Sequence, residues 1–233
     1  MTILIDDCRR AHPDITESVE ELLYADDTLI LGNDSKIIER YIQTIATQGK
    51  KYGLSLNMDK LEMIRMNTKL DIMDPMQNAI PCKQSMRYLG ALLSDTGNIR
   101  SELGQRIGLA RQEFHELARI WKHANISRHR KIELYTSCVV SKLLYALHST
   151  WLSKQQRCKL NAFHCKCLRA ILNIPHSYIS RIRNEEVLRQ ASSMQLSNTL
   201  LKNQLTYFGK LARTPSHLNR DLVFKSGSCK IAR

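Results

Sequence analysis

The sequence predicts an α+β fold, and three observations support this class. Two short apolar runs within residues 21–32 fit the strands of a hairpin, because four and three apolar residues are too few for helices. The next segment repeats apolar residues at helical spacing from Ile37 to Ile45, which predicts a helix packed on a sheet. From Gly97 onward, helical spacing continues almost to the end of the chain. We therefore expect antiparallel strands with a packed helix, followed by a mostly helical part.

The composition restricts the class of protein. A chain of 233 residues can bury a sizeable core, and a hydrophobic fraction of 43% is ordinary for a globular protein. There is no run of about 18 apolar residues, and charges at positions 6, 7, 9 and 10 interrupt the N-terminal segment. We therefore expect an intracellular protein with no membrane span. Seven irregularly spaced cysteines favour reduced thiols over a disulfide framework.

The net charge of +13 is unevenly distributed. Residues 1–70 contain 9 Lys/Arg and 12 Asp/Glu, a balance of −3, whereas residues 71–233 contain 26 and 10, a balance of +16. Such a basic excess is typical of nucleic-acid binding, although it would also suit a membrane surface or an acidic protein. Few aromatic residues lie among these charges. Contact with a duplex backbone is therefore a stronger expectation than stacking on single-stranded bases.

Two adjacent carboxylates, Asp26 and Asp27, lie at or beside the predicted hairpin turn. Neighbouring like charges repel and aspartate is a poor strand residue, so stability alone does not explain the pair. Carboxylates at a rigid tip suit a hard cation such as Mg²⁺, which takes one or two protein carboxylates and leaves positions for water and phosphate. The alternative is a pair of solvated turn residues. The strand-turn-strand context favours the metal site.

Three segments in the first 93 residues resemble the reverse transcriptases. The run Tyr24-Ala25-Asp26-Asp27 is similar to the palm hairpin of that family. The segment 53–62 is similar to the family's Gly-Leu-x-hydrophobic-Asn-x-x-Lys-Thr-Glu stretch, with Leu61 in place of threonine. The run Tyr88-Leu89-Gly90 is similar to the primer grip, a hairpin whose backbone holds the primer 3′ end. The resemblance implies a partial palm.

Later segments resemble one branch of that family, the non-LTR (LINE-type) retrotransposon enzymes. The residues that carry this resemblance are 143–146 followed by Trp151, then 167–172 and 207–213. Lys210 departs from the histidine that is common in the last of these segments. The resemblance implies thumb-like helices in 94–150 after the partial palm of 1–93, and a C-terminal helical extension in 151–233 whose last residues form a frayed tail.

The resemblance also implies an activity and roles for single residues. In reverse transcriptases the hairpin aspartates take part in a two-metal Mg²⁺ site, which assigns metal binding and catalysis to Asp26 and Asp27. In the family, a lysine near the nucleotide phosphates is proposed to protonate the leaving pyrophosphate. The resemblance implies this role for Lys60. Taken alone, Lys60 is equally well explained as a solvent-facing turn lysine. Primer-end positioning is assigned to five residues: Tyr24, Ala25, Tyr88, Leu89 and Gly90. The implied partners are an RNA template, a DNA primer and deoxynucleotides, and the implied location is the nucleus.

The helix predicted from Ile99 to Lys122 carries two distinct faces. A core stripe comprises Leu103, Ile107, Ala110, Phe114, Leu117 and Trp121. The other face, called here the glycine-basic face, comprises Arg100, Gly104, Gly108, Arg111, His115, Arg119 and Lys122. Each glycine costs about 1 kcal/mol in a helix relative to alanine, so this alignment needs a reason. Close approach to a nucleic-acid backbone and close packing against another helix both supply one. The two reasons carry equal weight at this point; in the resembling family this region is the thumb, whose helices contact the template-primer duplex.

Other elements are predicted from local patterns. Strands are expected at 2–5, 54–58, 62–66, 79–82 and 86–93, with Asp6 and Asp7 as the charged end of the first. Ser127 is expected to begin a largely buried helix that runs to Ser149. Ser153 with Gln156 predicts a capping box for the next helix. A last helix is expected from about Gln195 to Arg213, before the frayed tail at 226–233.

The resemblance implies an enzyme that is incomplete in this chain. A complete reverse transcriptase has fingers and a further catalytic aspartate upstream of the hairpin, whereas 23 residues precede Tyr24 here. We therefore expect an incomplete two-metal site, no polymerisation by the chain alone, and a missing fingers and palm segment as a possible partner. Two other functions stay open. One is a non-catalytic nucleic-acid-binding module, and the other is a helical interaction protein in which the acidic hairpin is incidental.

Overall fold

A computed structural model describes residues 2–16 and 18–214, except for the side chains of Thr16 and Lys122. The chain divides into two compact units, 1–98 and 99–233. The predicted combination of antiparallel strands and helices is confirmed: unit 1 contains two two-stranded antiparallel sheets, and the described part of unit 2 is helical. The charge changes sign at this boundary. Residues 1–98 contain 11 Lys/Arg and 15 Asp/Glu (−4), and residues 99–233 contain 24 and 7 (+17).

Unit 1 consists of helices, two hairpins and irregular connections. Its elements are α1 (Thr2–Ala11), α2 (Pro13–Thr16), β1 (Val19–Tyr24), β2 (Asp27–Gly32), α3 (Ser35–Lys51), a 3₁₀ turn (Met58–Lys60), β3 (Ser85–Tyr88) and β4 (Ala91–Ser94). β1 pairs antiparallel with β2, and β3 with β4. The predicted helix after the first hairpin is confirmed as α3, and Asp34 caps it by accepting a hydrogen bond from the Lys36 amide at 2.8 Å.

The strand predicted at 2–5 is wrong, because these residues begin α1. Leu4, Ile5 and Cys8 are buried on one face of this helix, at spacings of one, three and four residues. Ion pairs three residues apart, Asp6 with Arg9 and Asp7 with Arg10, are typical of a helix surface. Asp6 and Asp7 are therefore helical residues and do not mark the end of a strand.

The middle of unit 1 contains fewer strands than predicted. The strands expected at 54–58, 62–66 and 79–82 are wrong, because the described residues make only isolated bridges there, Met63 with Cys82 and Met73 with Ala79. A strand requires a neighbour paired over several residues, which these segments lack within the described part of the chain. The strand expected at 86–93 is instead the β3–β4 hairpin. Its turn residues Leu89 and Gly90 both have positive φ, 48° and 75°, the pattern of a type I′ turn.

Unit 2 is built from helices of very different lengths. Its described elements are α4 (Ile99–His123), α5 (Arg128–Leu134), a π-helical segment (Tyr135–Val140), α6 (Ser141–Leu144), a 3₁₀ turn (Leu147–Ser149), α7 (Lys154–Leu172), α8 (Ser177–Ser180), α9 (Asn184–Gln190) and α10 (Leu196–Arg213). Among the described residues, no helix has both the length and the apolarity needed to cross a lipid bilayer. The short helices α8 and α9 were not predicted, and the tail at 226–233 lies outside the described residues.

The predicted helix caps of unit 2 are confirmed. The Ser127 hydroxyl accepts from the Arg130 amide, and Ser153 forms a reciprocal capping box with Gln156. The helix that starts after Ser127 ends at Leu144 and not at Ser149, because Ala146 adopts a left-handed conformation with φ 61°.

The core of unit 2 confirms the apolar stripe predicted on α4. Leu103, Ala110 and Trp121 are buried, and Ile107, Phe114 and Leu117 pack against the same core. Phe114 meets Trp121 and Tyr135 edge to face, with ring centroids 6.0 and 5.9 Å apart. α4 therefore packs with the π-helical segment through aromatic contacts.

A buried polar network lies at the centre of this core. His164 on α7 is hydrogen-bonded through Nδ1 to the Tyr135 hydroxyl at 2.8 Å and through Nε2 to the Ser193 hydroxyl at 3.1 Å. The rings of Tyr135 and His164 also stack, with centroids 5.7 Å apart. Burial lowers the pKa of His164 from its usual 6.5 to about 4, so the ring is neutral in the folded protein at pH 7.

Acidification is expected to destabilise unit 2 through His164. The pKa of His164 is lower in the folded state than in the unfolded state. The contribution of its neutral ring to the stability of unit 2 is therefore fully present above pH 6.5 and is lost as the pH falls toward 4. The shift corresponds to about 3 kcal/mol. The measurement is the free energy of unfolding of unit 2 by urea from pH 7 to pH 4, for the wild type and for His164→Gln. Because carboxylates titrate in both proteins, the test is the difference between the two slopes, and identical slopes would contradict the assignment.

Candidate active site and nucleic-acid interface

The acidic hairpin has a two-residue turn made by Ala25 and Asp26. Tyr24 pairs directly with Asp27, so Asp26 lies in the turn and Asp27 is the first residue of β2. Ala25 has φ 53°, a left-handed conformation that is costly for any residue with a Cβ, whereas Asp26 has no positive φ. Both carboxylates are exposed, and the Tyr24 side chain is 62% exposed. The turn therefore presents two adjacent carboxylates to solvent from a tightly defined backbone.

Glu21 fixes the hairpin to the helices beneath it. In β1 the side chains of Val19, Glu21 and Leu23 face inward, and the Glu21 side chain is only 4% exposed. Its carboxylate accepts hydrogen bonds from the Arg9 guanidinium on α1 and from the Tyr41 hydroxyl on α3. Burial, followed by the hydrogen bond to Glu21, raises the pKa of Tyr41. The sequence analysis did not identify Glu21, although a carboxylate at an inward position of an alternating strand was a usable signal.

The second hairpin contacts the first through Tyr88. The Tyr88 hydroxyl donates a hydrogen bond to the Leu22 carbonyl on β1 at 3.1 Å. Burial, and then the nearby negative charge of Asp27, raise the pKa of Tyr88. The structure thus brings Tyr88, which the sequence analysis assigned to primer positioning, next to the hairpin that carries the carboxylates. Leu89 and Gly90 form the turn immediately after it.

Among the described residues, no hydrogen bond or ion pair joins Lys60 to this arrangement. It ends the exposed 3₁₀ turn Met58–Lys60. The predicted role of Lys60 stays a prediction.

Asp26 and Asp27 suit a hard cation by donor type, exposure and adjacency. Mg²⁺ binds through oxygen ligands and commonly uses one or two protein carboxylates. Within residues 2–16 and 18–214, no group of three or more His, Cys, Asp or Glu side chains is placed to hold a metal ion. This part of the chain therefore offers a cation two carboxylates and no third one.

Comparison with known families agrees with the hairpin geometry. Residues 1–93 match the family model described as reverse transcriptase (RNA-dependent DNA polymerase). The reverse transcriptase match includes the acidic hairpin, α3 and the β3–β4 hairpin, and it stops before α4. Searches of curated proteins and of solved structures gave no match to the chain.

The glycine-basic face of α4 is open to solvent. Arg100, Gly104, Gly108, Arg111, His115 and Arg119 are all exposed, while the side chain of Lys122 lies outside the described part of the chain. A Cβ added at Gly104 or Gly108 would meet no atom of the described residues within 4 Å. Helix packing, one of the two reasons considered for these glycines, therefore does not occur at either position within the described residues.

Substituting alanine for either glycine is expected to stabilise unit 2. Gly104→Ala and Gly108→Ala place a methyl group in open space and remove the flexibility of a glycine inside a helix. Each is expected to raise the free energy of unfolding of unit 2 by about 1 kcal/mol. Urea unfolding followed by circular dichroism measures the change. Unchanged or lowered stability would mean that the methyl group meets an unseen neighbour.

Proposed function

We propose that the chain is part of an RNA-directed DNA polymerase of the non-LTR (LINE-type) retrotransposon class. The observation that carries this proposal is the Tyr24-Ala25-Asp26-Asp27 hairpin, held by Glu21 and contacted by Tyr88, inside the segment that matches the reverse transcriptase family. The activity is magnesium-dependent transfer of deoxynucleotides to a DNA primer on an RNA template. Residues 1–93 form part of the palm, 94–150 the thumb and 151–233 a C-terminal helical extension.

The proposed roles are those that the resemblance implies, and the positions of some of the side chains support them. Asp26 and Asp27 would hold Mg²⁺, which when bound would supply charge neutralisation at the phosphates during nucleotidyl transfer. Five residues position the primer end: Tyr24, Ala25, Tyr88, Leu89 and Gly90. The hydrogen bond from the Tyr88 hydroxyl to the Leu22 carbonyl supports this assignment, because it keeps the turn of the β3–β4 hairpin near the two carboxylates. Lys60 is proposed to reach the nucleotide phosphates when substrate is bound.

We further propose that this chain does not polymerise alone. Two-metal phosphoryl transfer needs both ions held at once, and the described residues supply two carboxylates at the hairpin and no third. The remaining ligand is proposed to come from an upstream palm strand. A fingers and palm segment that carries this strand is then the partner that completes the site.

Primer extension tests the proposed activity. With an RNA template, a DNA primer, deoxynucleotides and Mg²⁺, we expect no extension by the chain alone. Extension is expected once a fingers and palm segment from a complete non-LTR reverse transcriptase is added in trans. Asp26→Asn is expected to abolish that activity, because it removes a metal-binding oxygen anion.

Asp34→Asn is the matched control, since Asp34 caps α3 on the same hairpin-helix unit and stands outside the metal site. Its extension activity should equal that of the wild type. Robust extension by the chain alone, lost in Asp26→Asn, would overturn the proposal that the site is incomplete. Activity in trans that survives Asp26→Asn and Asp27→Asn would overturn the assigned metal ligands.

A non-catalytic nucleic-acid-binding module is the second candidate function. The observations in its favour are the balance of +17 over residues 99–233 and the exposed glycine-basic face. Under this function, duplex binding does not depend on Asp26 or Asp27, and no segment added in trans restores extension. The two functions share one requirement, which is that the glycine-basic face binds a nucleic-acid duplex.

Salt titration tests that requirement. If Arg111 and Arg119 each contact one phosphate, Arg111→Ala and Arg119→Ala should each flatten the log-log dependence of affinity on salt by about 0.9 on a B-form duplex. Sequence preference should not change, because phosphate contacts carry no base information. Fluorescence anisotropy with a labelled duplex measures both quantities. Unchanged salt dependence in both variants would show that the duplex does not bind to the glycine-basic face.

Gly108→Ala adds a test of close approach. Its methyl group should weaken duplex binding although it stabilises the helix. Gly209→Ala is the matched control, because it changes a helical glycine on α10 whose nearest neighbours among the described residues are atoms of the flexible Arg213 side chain. It should leave duplex affinity unchanged.

A further inference from the structure

The connection between α7 and α9 is fixed by a buried arginine. Arg169 on α7 is 7% exposed, and its guanidinium donates hydrogen bonds to the carbonyls of Pro175 at 3.1 Å and Ile182 at 2.6 Å. It also donates to the side chains of Ser180 and Asn184. A buried guanidinium that bridges both ends of a connection restrains its backbone. The segment 173–183, called here the α8 loop, therefore has one defined shape.

The α8 loop presents an aromatic pair to solvent. The rings of His176 and Tyr178 are nearly parallel, with an interplanar angle of 11° and centroids 5.8 Å apart. Tyr178 is 71% exposed and its neighbour Ile179 is 61% exposed, whereas Ile174 and Ile182 at the two ends pack on the core. The two ends of the α8 loop thus pack on the core of unit 2, and its middle does not. The Tyr178 ring stays accessible for contact with another flat group.

The stretch of sequence that contains this ring is strongly basic. The sequence contains no Asp or Glu between Glu133 and Glu185, but it contains eight Lys/Arg there. Arg181 and Arg183 lie exposed on the α8 loop itself, and the four groups that accept hydrogen bonds from Arg169 beneath it are uncharged. Of the two acids that follow, Glu186 is paired with Arg189. A partner that combines flat apolar rings with regular negative charge fits this surface best.

We propose that the α8 loop binds an unpaired stretch of nucleic acid, with one base stacked on Tyr178 and the adjacent phosphates contacted by Arg181 and Arg183. Aromatic side chains next to cationic ones are the usual means of holding single strands without sequence preference, because every base has a flat face. A duplex keeps its bases stacked on each other and offers none to Tyr178. The sequence analysis favoured duplex contact over stacking because few aromatics lie among the charges, and the proposal adds a stacking site at one exposed aromatic residue. The inference rests on the proposed function, within which it adds a single-strand site to the proposed duplex face.

Anisotropy with short oligonucleotides tests the proposal on the full chain. The probes are a labelled ten-nucleotide single-stranded RNA, its DNA counterpart, and a DNA of equal length whose nucleotides are abasic. Tyr178→Ala is expected to weaken binding of the base-bearing strands by about 5- to 150-fold, the range found for loss of one stacked base. Tyr178→Phe keeps the ring and should stay within about twofold of the wild type. The abasic strand should bind the wild type and Tyr178→Ala equally.

Ile179→Ala is the matched control, because it removes exposed apolar surface from the same loop without removing a ring. It should leave single-strand affinity unchanged. Both tyrosine variants alter an exposed side chain, and circular dichroism checks that they fold. Stronger binding of RNA than DNA, or the reverse, identifies which single strand is preferred, and either result supports the site.

Several results would overturn the proposal. Equal affinities of wild type and Tyr178→Ala for base-bearing strands would do so, as would an equal loss on the abasic strand. Concentration-dependent self-association that Tyr178→Ala removes, with unchanged oligonucleotide binding, would make this surface a protein interface instead. If duplexes bind and single strands do not, this inference fails and the proposed function stands. If neither binds, both fail.

Discussion

The acidic hairpin depends on one buried carboxylate. Glu21 lies under the hairpin and accepts from Arg9 on α1 and from Tyr41 on α3, so it joins three elements that are distant in sequence. A carboxylate removed from water must be paired, because its desolvation is costly. The hairpin therefore adopts its position only when both helices are in place. The strained conformation at Ala25 and the exposure of Asp26 are tolerated because the base of the hairpin is fixed in this way.

Elements with strong local signals could be predicted from the sequence. The hairpin around Asp26, the cap at Ser127 and the capping box at Ser153 each depend on residues a few positions apart, and all three are confirmed. The first helix was mistaken for a strand, because its apolar residues at 3–5 are contiguous and their helical partner Cys8 follows two acids. The strands expected at 54–58 and 62–66 are wrong for the described residues. A strand depends on pairing with distant segments, which local sequence patterns do not report.

In the candidate site, too, features with a local sequence signal could be predicted, and features that depend on long-range contacts could not. The carboxylate pair was identified because two adjacent aspartates have no structural explanation, whereas the contact of Tyr88 with Leu22 joins residues 66 positions apart and needed the structure. The exposed state of Gly104 and Gly108 could not be read from helical periodicity, since both open space and close packing favour glycine. Arg169 has no distinguishing pattern in the sequence, because its partners are two backbone carbonyls and two side chains at or beside a segment with no regular period.

The π-helical segment at Tyr135–Val140 has a consequence for how the chain tolerates insertion and deletion. Hydrogen bonds spanning five residues let this stretch hold one more residue than an α-helical stretch of the same height. Deleting one residue there would therefore leave a regular α-helix whose later side chains, Leu143 and Leu144 among them, keep nearly their present orientation toward the core. A one-residue deletion in a regular helix such as α7 would instead rotate every later side chain by about 100° around the axis. A change of one residue in length is therefore expected to be tolerated within this segment and not within α7.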